Sequence, residues 1–214
     1  MIFGSISYLN LLPFQVFLKR YLHDSGTKMG LNHKKDVPSK INEALKNRKI
    51  NAGFISSIES PRYDCTNLGI IANRAVYSVF VIKGENKTDN ESATSNQLAK
   101  VLKLKGEVII GDKALKYYLN GGEGVDLATA WYEKTALPFV FARLCFNCYG
   151  NQVQTIAKEF IAKPIKIPQY ILKKEAKKRG ITPKQLLWYL KHIEYKINHK
   201  SQKSLKLFLK NSIK

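Results

Sequence analysis

The sequence predicts an α/β fold in two lobes, joined by paired crossover strands that border a cleft between the lobes. Short apolar runs of strand length alternate with segments whose apolar residues recur at helical spacing. In addition, two longer apolar runs, at residues 76–82 and 137–146, flank a polar stretch that contains glycines. We therefore predict a larger lobe of residues 1–82 and 139–214 and a smaller lobe of residues 83–138.

The chain opens on a strand that leads into a helix through a short polar turn. Residues 2–6 form a mostly apolar run of strand length, and a helix is predicted from residue 11 to about residue 23. Pro13 is tolerated in its first turn, where the missing N–H would be unpaired in any case. A second helix is predicted at residues 39–46, because apolar residues recur there at helical spacing. Residues 51–55 then predict a buried strand that ends in two serines.

Elements of both types are also predicted in the rest of the chain. In the smaller lobe they are a loop at 84–93, a helix at 95–104, a strand at 108–110 and a further segment at 114–120. Towards the C-terminus, Thr182 and Pro183 form a helix start signal. The apolar residues Leu186, Leu190, Ile193 and Ile197 then fall on one helical face. We expect this apolar stripe to dock on the larger lobe.

Polar side chains follow several of the predicted strands, at the strand ends where open α/β sheets bind ligands. They are Tyr8, Asn10, Ser56, Ser57, Thr94, Ser95 and Asp112. In the first turn the Asn10 amide and the free N–H groups of the helix face one point, which predicts an anion site. The same turn equally fits an Asn cap without any ligand.

Three hydroxyl residues are further candidates for ligand contacts. Ser78 lies within an apolar predicted strand, so its hydroxyl must find a partner or cost about 1–3 kcal/mol. On a crossover strand it would point into the cleft, although a bond to a neighbouring carbonyl would also satisfy it. Thr94 and Ser95 precede a helix and predict an N-cap, which either binds a carboxylate or only caps the helix. Two or three such sites facing one cleft would suit a small dianion.

Five motifs occur in order along most of residues 1–146. They are Tyr8-Leu9-Asn10 with Pro13, Phe54-Ile55-Ser56-Ser57-Ile58-Glu59, Val76-Tyr77-Ser78-Val79, Ile110-Gly111-Asp112-Lys113-Ala114-Leu115, and the stretch from Val125-Asp126-Leu127 through Trp131 to Ala142. As an ordered set they resemble the chorismate dehydratases of the futalosine route to menaquinone. The chain from residue 147 onward resembles that family only loosely.

The resemblance implies the two-lobed periplasmic-binding-protein type II fold, with the substrate in the interlobe cleft. It implies that Asn10 and Ser78 are the catalytic residues, and that both contact the substrate. The substrate-binding residues would be Tyr8, Ser56, Ser57, Thr94, Ser95 and Asp112. The smaller lobe is shorter than is usual in the family, so we expect one wall of the cleft to differ.

The resemblance also implies a reaction. Chorismate would lose its C3 proton and its C4 hydroxyl and give 3-[(1-carboxyvinyl)oxy]benzoate. Aromatisation drives this step, so the protein has mainly to orient the ring and stabilise the charge that develops. Either Asp112 or a carboxylate of the substrate could take the proton. Asp112 could instead cap the helix that follows it, and we favour that role.

No cofactor and no metal are predicted. The sequence contains no HExxH, GxxxxGK[ST] or GxGxxG pattern, and the glycines of residues 121–124 fit a turn after a helix. The histidines, which are His23, His33, His192 and His199, lie away from the hydroxyl-rich strand ends. This weighs against a Ser-His or Cys-His nucleophile.

The net charge of +20 is concentrated near the C-terminus. Residues 158–214 hold 16 Lys and Arg residues against three Glu, which accounts for 13 of the 20 excess charges. A basic segment can bind nucleic acid, and Trp188 and Tyr189 could stack on bases. The lysines flank an apolar stripe of helical period, however, and both aromatic residues lie within it. We therefore predict a solvated basic face and no nucleic-acid partner.

The cysteines and the start of the chain suggest a cytoplasmic protein without a membrane partner. Cys65, Cys145 and Cys148 are odd in number and suit reduced thiols. In the Cys145-x-x-Cys148 pair we expect two buried thiols rather than a metal or redox site. Met1 leads directly into a strand, and no window approaches the ~20 apolar residues of a membrane span.

Two alternatives to a cofactor-free lyase remain open at this point. One is a non-catalytic protein of the same two-lobed plan that binds a small anion. The other, less favoured, is a basic nucleic-acid-binding protein.

Overall fold

The structure, a computed structural model, describes residues 1–24 and 32–213. Its strands are β1 (Ile2–Ile6), β2 (Asn32–Asp36), β3 (Ala52–Ser56), β4 (Asp64–Ala72), β5 (Val79–Ile82), β6 (Glu107–Ile110), β7 (Val125–Asp126), β8 (Phe139–Phe146) and β9 (Glu194–Lys196). Its α-helices are α1 (Leu12–Asp24), α2 (Pro38–Lys46), α3 (Ala93–Val101), α4 (Gly111–Leu119), α5 (Leu127–Thr135), α6 (Gly150–Ala162), α7 (Gln169–Arg179), α8 (Pro183–Leu190) and α9 (His199–Ser212). The predicted α/β class is confirmed.

The strands form two sheets. The larger has the order β2-β1-β3-β8-β4-β9, and the smaller has the order β6-β5-β7. In the larger sheet β1 runs parallel to β2 and β3, whereas β8 runs antiparallel to β3 and β4. In the smaller sheet β5 runs antiparallel to both neighbours. Parallel strands need a long crossover, which α1 supplies between β1 and β2.

Paired strands do lead to and from the smaller sheet, but the outgoing strand is not the predicted one. The chain leaves the larger sheet at the end of β4 and returns to it at the start of β8, and these two strands are hydrogen-bonded neighbours. The apolar run 76–82 contributes only β5, which lies in the smaller sheet. The expected pairing of 76–82 with 137–146 is therefore wrong, because β4 occupies the place beside β8.

The division into residues 1–82 with 139–214 and residues 83–138 stays a prediction. One detail bears on its edge, since β5 at residues 79–82 pairs with β6 and β7 rather than with the larger sheet. Helix α9, from the far end of the chain, also packs against α3.

The core is continuous between the two sheets. Under the larger sheet, the Phe14 ring packs edge-on against Phe54 and Phe160, with ring centroids 5.1 Å apart in both cases. Beside the smaller sheet, the fully buried Trp131 of α5 packs against Phe208 of α9. The Trp131 indole N–H donates to Ser204 Oγ at 2.8 Å, so α9 satisfies a polar group of α5.

The predicted C-terminal helix is shorter than its apolar spacing indicates. Thr182 forms a capping box with Gln185, which confirms the start signal. The helix ends at Leu190, and the chain continues into β9, which pairs with β4. Ile193 and Ile197 therefore do not extend the face of α8, and the predicted continuous helical stripe is wrong. Ile197 packs instead against Leu205 of α9.

The expectation for the cysteines is also wrong. Cys65 of β4 and Cys145 of β8 are direct cross-strand partners, and they form a disulfide. Cys148 is free and exposed rather than buried. The pairing was not foreseen because β4 was not predicted as a strand, so nothing in the sequence placed Cys65 beside Cys145.

In the part of the chain that the structure describes, no helix has the length and apolar character needed to cross a membrane.

Candidate active site

A small cavity of about 40 Å³ lies between the two sheets. Its walls come from the first turn, the ends of β1, β3 and β6, the segment before β5, the start of α3, and β4 and β8. The predicted site residues that line it are Tyr8, Asn10, Ser56, Ser78 and Ser95. Side chains separated by up to 87 positions in the sequence thus meet at one point. Tyr8, Asn10 and Ser56 reach it from the carboxyl ends of β1 and β3.

Asn10 brings an unpartnered polar atom to this cavity. It lies in the short 3₁₀ turn Leu9–Leu11 that precedes α1, and its backbone carbonyl accepts a 2.6 Å hydrogen bond from the Tyr195 hydroxyl. Its side-chain Oδ1 is buried and has no hydrogen-bond partner. Buried polar groups are nearly always paired, so a free amide oxygen at a cavity wall indicates a place for a ligand.

Ser78 lines the cavity from an irregular segment, not from within a strand as predicted. Strand β5 begins one residue later, at Val79. The preceding Tyr77 has a left-handed backbone with φ of 58°, and its N–H donates to Asp126 Oδ2 at 2.7 Å. The Ser78 hydroxyl is hydrogen-bonded to the Tyr189 hydroxyl at 2.9 Å, rather than to a neighbouring carbonyl. Burial raises the pKa of Tyr189 well above its usual value, so this partner stays a neutral phenol.

Tyr8 spans the gap between the sheets. Its ring lies directly on Gly111, whose φ is +68° and where an added Cβ would be 2.6 Å from Tyr8 Cζ. Its hydroxyl is hydrogen-bonded to the carboxylate of Glu91, in the segment before α3. Burial raises the pKa of Tyr8 strongly, and the Glu91 carboxylate adds to that effect. Sequence reasoning missed Glu91, because no pattern places residue 91 near residue 8.

Ser56 and Ser95 line the cavity with hydroxyls that already have partners. Asn42 of α2 donates to Ser56 Oγ at 2.9 Å and accepts from Ser56 N–H at 3.0 Å. Ser95 accepts a 2.9 Å bond from Ser92 Oγ. Ser92 is the N-cap of α3, so the prediction that Thr94 and Ser95 form the cap is wrong. The cap lies two to three residues earlier than the apolar spacing indicated.

The remaining predicted residues lie outside the cavity wall. Thr94 Oγ1 accepts from the backbone N–H of Ile58 at 3.3 Å. Ser57 is fully buried, and its hydroxyl has no partner. Asp112 lies in the first turn of α4 but does not cap it, because its Oδ1 accepts from the N–H of Leu9 at 2.9 Å. Its Oδ2 is paired with Arg179 of α7, which the sequence analysis did not identify.

The chemistry available at the cavity is therefore hydrogen bonding by hydroxyls and one amide. Of the residues described, those that line it include no carboxylate and no histidine. Across residues 1–24 and 32–213, no three His, Cys, Asp or Glu side chains come together as a metal site would require. Such a lining can orient a substrate and donate to developing negative charge, but it supplies no strong base.

Comparison with known proteins assigns the chain to a family. A family model described as menaquinone biosynthesis matches residues 1–107 and 99–212. The chain belongs to this menaquinone biosynthesis family. A chorismate dehydratase of Campylobacter jejuni is 50% identical over 217 residues, which cover 98% of this chain and 96% of that protein. A chorismate dehydratase of Thermus thermophilus is 23% identical over 265 residues, covering 97% of this chain and 93% of that protein.

Solved structures support the predicted two-lobed plan. A protein of Archaeoglobus fulgidus superposes with a TM-score of 0.68 at 13% identity, covering 99% of this chain and 96% of that one. The periplasmic aliphatic sulphonate binding protein of Escherichia coli superposes with a TM-score of 0.53 at 13% identity, covering 100% and 92%. At these identities the likeness shows the fold alone. The periplasmic-binding-protein-like fold of this family member is confirmed.

Proposed function

We propose that the protein is a cofactor-free lyase that dehydrates chorismate to 3-[(1-carboxyvinyl)oxy]benzoate, in the biosynthesis of menaquinone. The observation that carries this proposal is the 50% identity, over nearly its whole length, to a curated chorismate dehydratase. The lining of the cavity supports it, because a dehydration driven by aromatisation needs orientation and charge stabilisation more than a strong acid or base.

The reaction breaks two bonds of the substrate. The C3–H proton is removed, the C4–O bond breaks, and the hydroxyl leaves as water once it has gained a proton. Asn10 and Ser78 orient the ring and hydrogen-bond to charge that grows in the transition state, while Tyr8, Ser56 and Ser95 shape the wall around it. Ser57, Thr94 and Asp112 do not line the cavity; Thr94 holds the Ile58 N–H and Asp112 holds the Leu9 N–H next to the first turn.

A carboxylate of the substrate is the base that the geometry favours. Asp112 has both oxygens engaged, one by Leu9 N–H and one by Arg179, and it lies outside the cavity wall. A general base has to reach the proton that it takes, directly or through one water. A carboxylate of chorismate itself meets this requirement, because it enters the site in the same molecule as the C3 proton.

Substrate entry requires the two sheets to move apart. The cavity of about 40 Å³ has room for only a few water molecules, each of which needs roughly 10–15 Å³ of such volume. A ring that carries a carboxylate, a hydroxyl and an enolpyruvyl group is far larger. The structure therefore represents a closed arrangement, and hinge opening around the β4 and β8 connections would admit the substrate.

The direct test is to incubate the purified protein with chorismate, without metal or nucleotide, and to follow the benzoate product by liquid chromatography. We expect turnover by the unmodified protein. Asn10→Ala and Ser78→Ala should fold normally and lose about 10²- to 10³-fold in kcat, which is typical when one such donor is removed. Asn151→Ala, an exposed position on α6, is the matched control and should retain full activity.

Two results would contradict the proposal at different levels. Binding of chorismate without any product would make the protein a small-anion-binding protein rather than a lyase. Full activity of both Asn10→Ala and Ser78→Ala would keep the lyase but place its site elsewhere. The cytoplasmic location and the lack of nucleic-acid and membrane partners stay predictions, which cell fractionation and binding assays at ~0.2 M salt would check.

A further inference from the structure

Arg179, the last residue of α7, connects three distant parts of the chain. Its side chain is only 12% exposed. Its Nε is paired with the Asp112 carboxylate, its Nη1 with Glu175 one turn earlier, and its Nη2 donates to the backbone carbonyl of Ser7 at 2.8 Å. Nη1 also donates to the Glu175 carbonyl at 3.2 Å. The guanidinium thus uses every nitrogen, which the planar fork of Arg allows and a Lys ammonium does not.

Asp112 completes a closed ring of contacts around the first turn. It projects from α4, next to the smaller sheet, and accepts from the N–H of Leu9 at 2.9 Å. The ring therefore runs from the Ser7 carbonyl through Arg179 and Asp112 to the Leu9 N–H. It holds the backbone of the residues on either side of Tyr8 in the sequence, Ser7 and Leu9. Asn10 follows Leu9 directly.

The charges in this ring compensate one another. Burial raises the pKa of the Asp112 carboxyl, and the Leu9 N–H and the Arg179 guanidinium both act against that rise. Burial alone would lower the pKa of Arg179, but the two facing carboxylates raise it. Removing the guanidinium would leave Asp112 buried without a counter-charge, so its carboxyl would either take up a proton or be resolvated, and both changes weaken its hold on the Leu9 N–H.

We propose that Arg179 is a positioning residue for the dehydration, acting through Asp112 and the first turn on the side chain of Asn10. This inference rests on the proposed function. Neither Arg179 nor Asp112 lines the cavity, and both oxygens of Asp112 are engaged, one by the Leu9 N–H and one by Arg179. The ring joins α7 to α4 and to the first turn. Because it holds the backbone of this turn, it fixes the position from which the Asn10 amide reaches the cavity wall.

The test is a set of kinetic double-mutant cycles. Arg179→Gln should lower kcat about 10- to 100-fold, because small displacements of a positioning group have costs of this order, and should change KM less than threefold. Lys178→Gln is the matched control. It removes the same charge from the neighbouring position of α7, where the side chain is exposed, and should leave both constants unchanged.

Measuring Arg179→Gln in two mutant backgrounds distinguishes an effect through Asn10 from a general loss of activity. In an Asn10→Ala background, Arg179→Gln should cost less than about threefold, because the group on which it acts is already gone. In a Ser78→Ala background it should cost the full factor, since Ser78 is held by Tyr189 rather than by the ring. Equal costs in both backgrounds would overturn the proposal, as would unchanged kcat in Arg179→Gln.

A third variant keeps the test informative if Arg179→Gln unfolds. Asp112→Asn retains an oxygen that can accept from Leu9 but loses the ion pair, and it should lower kcat by a similar factor. Arg179→Lys, which keeps the charge but not the planar fork, should also lower kcat, and its loss should not add to that of Asp112→Asn. A much larger loss in Asp112→Asn alone would make Asp112 the base and overturn the positioning role. Failure of the proposed function is separate, since it would appear as absent turnover in the unmodified protein.

Discussion

Replacing Gly111 by Ala is the most direct probe of the contact between the first turn and the smaller sheet. An alanine Cβ would be 2.6 Å from Tyr8 Cζ and 2.7 Å from Cε1, so the ring has to move. Gly111 also has φ of +68°, a conformation that L-residues avoid. Two separate penalties therefore act at one position.

Their sizes can be estimated separately. The left-handed backbone costs an alanine about 1–2 kcal/mol. Inserting a methyl group into a filled contact costs about 1–3 kcal/mol more. We expect Gly111→Ala to lower the free energy of unfolding by about 2–5 kcal/mol, measured by urea denaturation, because these two costs add. Activity should fall as well, because the displaced ring belongs to the cavity wall.

Gly121→Ala is a control that isolates the backbone penalty. Gly121 has φ of +84°, and an added Cβ there would meet nothing within 4 Å. It should lose only about 1–2 kcal/mol and keep its activity. If the two variants differ by less than ~0.5 kcal/mol, which is the ordinary scatter of surface substitutions, the close contact between Tyr8 and Gly111 is not present in solution.

Two further predictions concern the core and the cysteines. Ser204→Ala should lower the free energy of unfolding, measured by thermal melting, by about 1–3 kcal/mol, because it leaves the buried Trp131 N–H without an acceptor. As a control, Thr155→Ala removes an exposed hydroxyl of α6 and should stay within ~0.5 kcal/mol of the unmodified protein. After denaturation without reductant, a maleimide should label one thiol per chain, that of Cys148, because Cys65 and Cys145 are joined by a disulfide. After reduction it should label three, and three labels without reductant would contradict the disulfide.

The sequence was most informative where local patterns are strong. The first strand was predicted with its bounds, and α2 and β3 to within about a residue. Strands β1 and β3 are short runs buried along almost their whole length, and burial in α2 recurs with the helical period. Strand β4 was missed, since Asp64, Asn67 and Gly69 interrupt its apolar residues. The lysine-rich α7 was missed for the opposite reason, because it has few apolar residues on any face and only Leu172 and Ala176 are buried.

In the candidate site, too, local patterns identified some residues and failed to identify others. Residue types at strand ends identified Tyr8, Asn10 and Ser56 at the cavity, because the parallel strands β1 and β3 bring their carboxyl ends together. Ser78 and Ser95 were chosen as hydroxyls, but the structure places them before β5 and in α3. The partners that hold those side chains could not be found in this way. Glu91, Tyr189 and Arg179 lie 83, 111 and 67 positions from the residues that they contact, and none belongs to the five motifs of residues 1–146. Such pairs depend on tertiary packing that a local pattern does not contain.

The bond between Trp131 and Ser204 has a consequence for the order in which the molecule matures on the ribosome. Residues 79–135 supply the smaller sheet and α5, and they are synthesised well before α9. Chains fold from the N-terminal side as they emerge, at about 5–20 residues per second. For roughly 4–15 seconds at that rate, the indole of Trp131 therefore has neither its Ser204 acceptor nor its contact with Phe208, and of the aromatic rings that the structure describes against it only Phe139 is available to pack. The smaller sheet can complete its packing only when helix α9 arrives, so the nascent chain passes through a stage in which this surface is open to chaperones.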